Sequence, residues 1–263
     1  MVYGHGVRRG NFKDGEGNQT YGAEGDVYNV LGKLGFEPST EHRFELAYDL
    51  YRDKGDYSPR PDMGGNANIG LSQEDLIPTK YDRDTVTLNY ELNKDKHLGR
   101  VNVFYSKTEI NRDESAITGR WPGDRHSENQ AENRNQGANA KIQSQLPIFG
   151  LNNTLAYGFD YIDKQSKSSY GGTEFMDESA ISSALFIEDK LFPTDTVSIT
   201  LGGRYEHYKR EAMTSDKTFS EMTWGLAGDW QFTEAGHYSP VAERCLKVPS
   251  FLKPSLNTKM SHS

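Results

Sequence analysis

The chain alternates apolar and polar residues in segments about ten residues long, and it does so repeatedly. Phe44, Leu46, Tyr48 and Leu50 stand against Arg43, Glu45, Ala47 and Asp49. Met222, Trp224, Leu226, Trp230 and Phe232 stand against Thr223, Gly225, Asp229 and Gln231. A period of two gives a β-strand one apolar and one polar face. When the segments have the length of a tilted bilayer crossing, the apolar face can meet lipid and the polar face a wet lumen, which is how a transmembrane β-barrel strand reads.

Composition leaves this pattern few other places to go. Hydrophobic residues make up 34% of the chain, and the mean hydropathy is −0.80. A soluble two-layer protein of this length needs a larger apolar core, whereas a wet barrel needs only one apolar face per strand. The 15 tyrosines, 12 phenylalanines and 26 glycines agree with aromatic girdles and a lumen of small residues. No stretch approaches the roughly 20 apolar residues of a membrane helix.

Ten strands are predicted, at 2–9, 26–36, 42–53, 84–93, 99–110, 135–146, 153–164, 180–191, 197–209 and 220–232. The connections alternate in length. Those at 10–25, 54–83, 111–134, 165–179 and 210–219 are long and polar, and those between are brief. Long loops on one side and short turns on the other are the signature of outer-membrane barrels. The segment 135–146 is the weakest, with only Ala138, Ala140, Ile142 and Leu146 on its apolar face.

Three stretches carry a resemblance. Val30-Leu-Gly-Lys-Leu-Gly-Phe-Glu-Pro-Ser39 followed by His42-Arg-Phe-Glu-Leu46, then Tyr81-Asp-Arg-Asp-Thr-Val-Thr-Leu-Asn-Tyr-Glu91, then Trp224-Gly-Leu-Ala-Gly-Asp-Trp-Gln-Phe232, resemble barrel strands of TonB-dependent outer-membrane receptors. The resemblance runs over about residues 1–233. It implies an all-β fold, an antiparallel transmembrane barrel segment supplying about ten strands of a larger, 22-strand barrel. It also implies a receptor importing a ferric siderophore or haem as cargo, with no intrinsic cofactor, seated among outer-membrane lipid and lipopolysaccharide and coupled to TonB.

Both ends depart from that family pattern. Met1 is followed by Val-Tyr-Gly-His-Gly rather than a basic and then apolar run, so no signal peptide is legible. Neither the family's plug nor its coupling box is seen, and the expectation is an internal, non-transporting piece of a longer receptor. After Thr233 the alternation stops, and Pro240, Pro249 and Pro254 do not suit an interior strand. The expected division is therefore a partial barrel at 1–235 and a disordered tail at 236–263, left by a shift of reading frame near residue 235. Cys245, the single cysteine, lies in that tail and forms no intrachain disulfide.

The long loops hold the candidate cargo contacts, because loops on a rigid scaffold carry most binding chemistry. Tyr57 and Arg60 in the second, Arg120, Trp121, Arg125 and His126 in the third, and Tyr170 in the fourth combine forked cationic donors with aromatic faces. His126 is also a candidate axial ligand for haem. The alternative is that these residues tie the loops to each other and to the rim. No nucleophile elbow, zinc-protease box or phosphate loop is present, and an enzyme is not expected. A net charge of −8 argues against nucleic acid as a partner. Two other classes remain open at this point: a complete small outer-membrane barrel acting as protease or adhesin, and a soluble all-β binding module.

Overall fold

The structure, a computed structural model, describes residues 1–59, 71–72, 74–117, 128–148, 150–233 and 236–244. All ten expected strands are present: β1 (Val2–Arg9), β2 (Gly25–Ser39), β3 (His42–Tyr57), β4 (Ile77–Lys94), β5 (His97–Asp113), β6 (Glu128–Ile148), β7 (Leu151–Tyr170), β8 (Thr173–Thr194), β9 (Val197–Ala212) and β10 (Lys217–Thr233). Each pairs antiparallel with its neighbours in sequence order, giving one open sheet whose two ends do not pair with each other.

The sheet has almost no interior. Among the described residues the buried apolar side chains are Leu71, Ile77, Ile117, Ala156, Ala180 and Ala184. Large apolar side chains are instead exposed on one face. Leu46, Leu88, Val103, Phe159, Leu185, Leu201 and Trp224 all lie between 41% and 64% exposed. The register aligns them, with Leu46 opposite Leu88 and Leu88 opposite Val103. A continuous band of this size in water would be an aggregation surface, and lipid is the solvent it suits.

The strands are longer than the alternation indicates. β6, β7 and β8 have 21, 20 and 22 residues, about twice what a tilted strand needs to cross a bilayer. Alternation is legible only where one face meets lipid; beyond the bilayer both faces are polar and pairing continues without a pattern. Two expected loops are corrected on this ground. The span 165–179 is the tip of the β7–β8 hairpin, turned by Gly171 and Gly172 at φ 53° and 79°; two successive positive φ values are what a type I′ turn requires. The span 210–219 reduces to a turn at 213–216. The connections that remain long are those from β1 to β2, from β3 to β4 and from β5 to β6.

Two short strands follow β10. β11 (Gly236–Tyr238) and β12 (Val241–Arg244) both pair antiparallel with it. The segment expected to lack structure thus begins as a paired sheet edge interrupted at Pro240, and an edge is where proline is tolerated. Cys245 and the rest of the segment lie outside the described residues.

On the polar face, small and flat groups line the middle of the strands. Asn102 donates to Asn89 at 2.6 Å and Asn139 donates to Asn102 at 3.4 Å, while Asn89 reaches Glu45 at 3.4 Å. These four residues sit directly opposite one another across β3 to β6. Gly158 lies beneath the Phe186 ring: a Cβ there would meet the Ala140 carbonyl oxygen at 2.0 Å and the ring at 2.7 Å.

Candidate functional site

The polar faces of β1, β3, β4 and β5 converge at the long-loop end of the sheet on a cavity of about 680 Å³. That volume is in the range of small-molecule sites. Its lining includes Arg9 from β1, Tyr51, Asp53 and Tyr57 from β3, Tyr81 and Arg83 from β4, and Ile110 and Arg112 from β5. Three guanidinium groups and three phenols therefore face one space. Register explains the convergence: Asp53 is opposite Tyr81, Tyr51 opposite Arg83, and Tyr81 opposite Ile110.

Each arginine is held by a carboxylate at one corner. Arg9 donates to Asp53 at 2.6 Å and to the Tyr57 hydroxyl, which itself donates to Asp53 at 2.6 Å. Arg83 donates to Asp49 at 3.1 Å, and Arg112 lies 3.5 Å from the buried carboxylate of Glu114. Arg9 stands over the Tyr57 ring and Arg83 over the Tyr51 ring, each 5.5 Å from the centroid, a separation at which cation and π-face attract. Tyr51 meets Tyr81 edge to face at 5.6 Å. The Nε donors of Arg9 and Arg83 are buried and find no acceptor among the described residues. Oriented cations set among aromatic faces can hold a planar or branched polyanion.

Burial pushes the Tyr57 phenol above its ordinary range, and its hydrogen bond to Asp53 adds to the effect. The phenol therefore stays protonated at neutral pH and acts as a hydrogen-bond donor rather than as a phenolate ligand for a metal. Beside the cavity, Leu71, Ile77 and Ile117 form a small buried cluster. Its Ile77 is opposite Tyr57, the cavity residue at the end of β3.

Of the residues expected from sequence, the structure brings Tyr57 into this cavity. Tyr170 lies elsewhere, at the β7–β8 tip, where it packs edge to face on Phe175 at 5.4 Å. Arg60, Arg120, Trp121, Arg125 and His126 lie outside the described residues. The reading of loops missed Arg9, Tyr51, Tyr81 and Arg83, which are on strands, and put Arg112 in a loop although it lies at the end of β5. A signal was available: arginine and tyrosine recurring on the polar face at the strand ends beside a long loop.

Comparison with known proteins agrees with this architecture. The family model described as TonB dependent receptor-like, beta-barrel, matches residues 11–239. The haem transporter BhuA of Brucella ovis is 24% identical over 244 residues, which cover 88% of this chain and 33% of that protein. The FrpB iron transporter from Neisseria meningitidis superposes with a TM-score of 0.70 at 16% identity, over 92% of this chain and 44% of its own. The ferric-catecholate import receptor Fiu of Escherichia coli K12 superposes with a TM-score of 0.60 at 13% identity, over 81% of this chain and 42% of its own. This chain thus spans about a third of the length of the curated relative and less than half of either solved one. Inward-facing polar strands, an exposed apolar band and a match covering most of its length place the chain in the family of TonB-dependent receptor β-barrels.

Proposed function

We propose that this chain is an arc of an outer-membrane receptor that imports an iron complex, a ferric siderophore or haem, with energy delivered through TonB. The observation that carries the proposal is the cavity in which Arg9, Arg83 and Arg112 meet Tyr51, Tyr57 and Tyr81 at the long-loop end of the polar face. Iron complexes that circulate outside cells are commonly anionic through carboxylate, catecholate or propionate groups, and forked guanidinium donors suit all three. On this reading Arg60, Arg120, Trp121, Arg125 and His126 approach the cargo from the loops above, and Tyr170 forms part of the rim.

The arc does not transport by itself. Its outer edges at β1 and at β11 and β12 carry backbone groups with no partner in the sheet, and in lipid each such group costs several kcal/mol. A closed barrel needs further strands on both edges. The test is a titration of the detergent-solubilised chain with ferric citrate and with haem, read by quenching of tyrosine and tryptophan fluorescence. Saturable quenching by at least one of them is expected; none by either would contradict the proposal.

A further inference from the structure

One rung of the polar face is nearly bare. Arg9 on β1 is opposite Gly25 on β2, Gly25 is opposite Gly55 on β3, Gly55 is opposite Thr79 on β4, and Thr79 is opposite Arg112 on β5. Both arginines line the cavity, and between them the wall carries two glycines and a threonine. Neither glycine has a positive φ, so backbone conformation does not call for them. Glycine inside a strand then marks a close approach.

What approaches is the pair of Arg9 and Tyr57. β1 and β3 are two strand spacings apart, about 10 Å, yet Arg9 donates to Asp53 and to Tyr57 on β3. It does so by crossing Gly25, with Nη2 lying 3.1 Å from the position a Cβ there would take. The Tyr57 ring leans over Gly55 in the same way, its Cε2 3.2 Å from the position of a Cβ, and the guanidinium group stands over that ring. The two side chains cover the bare positions, so the cavity is lined by Arg9 and Tyr57 and by neither glycine. The strands also close up here. A Cβ at 25 would meet the Lys54 carbonyl oxygen at 2.6 Å, and one at 55 would meet the Glu24 carbonyl oxygen at 2.6 Å. The opposing backbone blocks relief on that side, so an added methyl group presses against the guanidinium group or the ring.

We infer that Gly25 and Gly55 are positioning residues for cargo binding. They touch no cargo; they let Arg9 lie flat across β2 and so fix its guanidinium group at the cavity wall. Of the three cavity arginines, Arg9 alone reaches over an intervening strand among the described residues. Arg83 pairs with Asp49 on the adjacent β3, and Arg112 with Glu114, two residues further along the chain. The glycines stand on the one path that needs them.

The inference rests on the cargo reading, and the test separates the two. Gly25→Ala, Gly55→Ala and Gly35→Ala are each made in the full chain and in an Arg9→Ala chain, folded into detergent, and titrated by fluorescence quenching with whichever of ferric citrate and haem the parent binds. Gly35 is the control, on the same strand and face as Gly25, where a Cβ would meet only the Phe44 carbonyl oxygen at 4.0 Å. A hydrogen-bonding charge is worth about tenfold in affinity. Arg9→Ala, Gly25→Ala and Gly55→Ala are therefore each expected to weaken binding by about tenfold, and Gly35→Ala by less than about twofold. In the Arg9→Ala chain neither glycine variant is expected to cost anything further, because changes that act through one shared partner do not add. A role confined to pairing β2 with β3 would cost affinity with or without Arg9. Double variants weakened by about a hundredfold, the product of independent effects, would overturn the inference. So would unchanged affinity in both glycine variants, an equal loss in Gly35→Ala, or failure of both glycine variants to form β-structure where the parent does. Absence of quenching of the parent by either probe would overturn the cargo reading, and the inference with it.

Discussion

Two regions of the polar face do opposite things with their hydrogen bonds. In the middle of the strands, Glu45, Asn89, Asn102 and Asn139 form a ladder in which each amide finds its neighbour at the same register level. At the long-loop end, Arg9 and Arg83 are each fixed by one carboxylate while their buried Nε donors go without an acceptor. The ladder is neutral for most of its length, and its one carboxylate, Glu45, is paired with Lys33 and Arg43; the cavity is cationic. The contrast teaches where structure ends and recognition begins on a wall that is polar throughout: carboxylates and amides paired across the strands are ordinary lumen filling, whereas three guanidinium groups and three phenols gathered round one cavity are not.

The two regions should respond oppositely to mutation. The largest effect is expected in the cavity, where Arg83→Ala removes a charged donor from ligand and a π-contact from Tyr51. Truncating one side of such a desolvated pair typically costs about 2 kcal/mol or more, so cargo affinity in the fluorescence titration should fall by about thirtyfold, with the unfolding midpoint little changed. Asn102→Ala should do the reverse. It breaks two rungs of the ladder, costing about 1 kcal/mol of stability by chemical denaturation in detergent, and cargo affinity should stay the same. If Asn102→Ala weakened cargo binding as much as Arg83→Ala, the division between the two regions would fail.

A smaller effect is expected from alkali. The folded-state pKa of Tyr57 is raised, so its proton is held more tightly in the folded than in the unfolded chain. Its contribution to stability is complete below the unfolded value of about 10 and is lost as pH rises through the higher folded value. Unfolding midpoints followed above pH 10 should decline less steeply for Tyr57→Phe than for the parent. Identical slopes would show that the Asp53–Tyr57–Arg9 triangle does not hold the phenolic proton.

Much of the fold was legible because lipid imposes a period of two wherever it touches a strand. Leu46, Leu88 and Leu201 could face only one way, and all ten strands follow from such residues. Strand ends were not legible, because Ser166 to Ser169 are polar on both faces and Phe175 and Met176 stand side by side rather than alternating, so both stretches read as loop although they pair. The β7–β8 turn left a trace in Gly171-Gly172, which a reading of long loops passed over. The site was less legible still. Arg9, Asp53, Tyr81 and Arg112 are far apart in sequence, and only the cross-strand register brings them to one cavity. Without that register an arginine on the polar face of a strand looks like any other. Tyr57 was found because it stands at the boundary where strand and loop readings overlap.

All of this depends on one face meeting lipid and the other water, and single-cysteine labelling of β4 measures that directly. In a Cys245→Ser background, cysteines placed one at a time from Thr85 to Leu92 would be reconstituted in vesicles and exposed to a membrane-impermeant maleimide. Strong labelling at positions 85, 87, 89 and 91 with protection at 86, 88, 90 and 92 is the expected result. Uniform labelling along the strand, or the opposite phase, would contradict a membrane-spanning arc with a wet lumen.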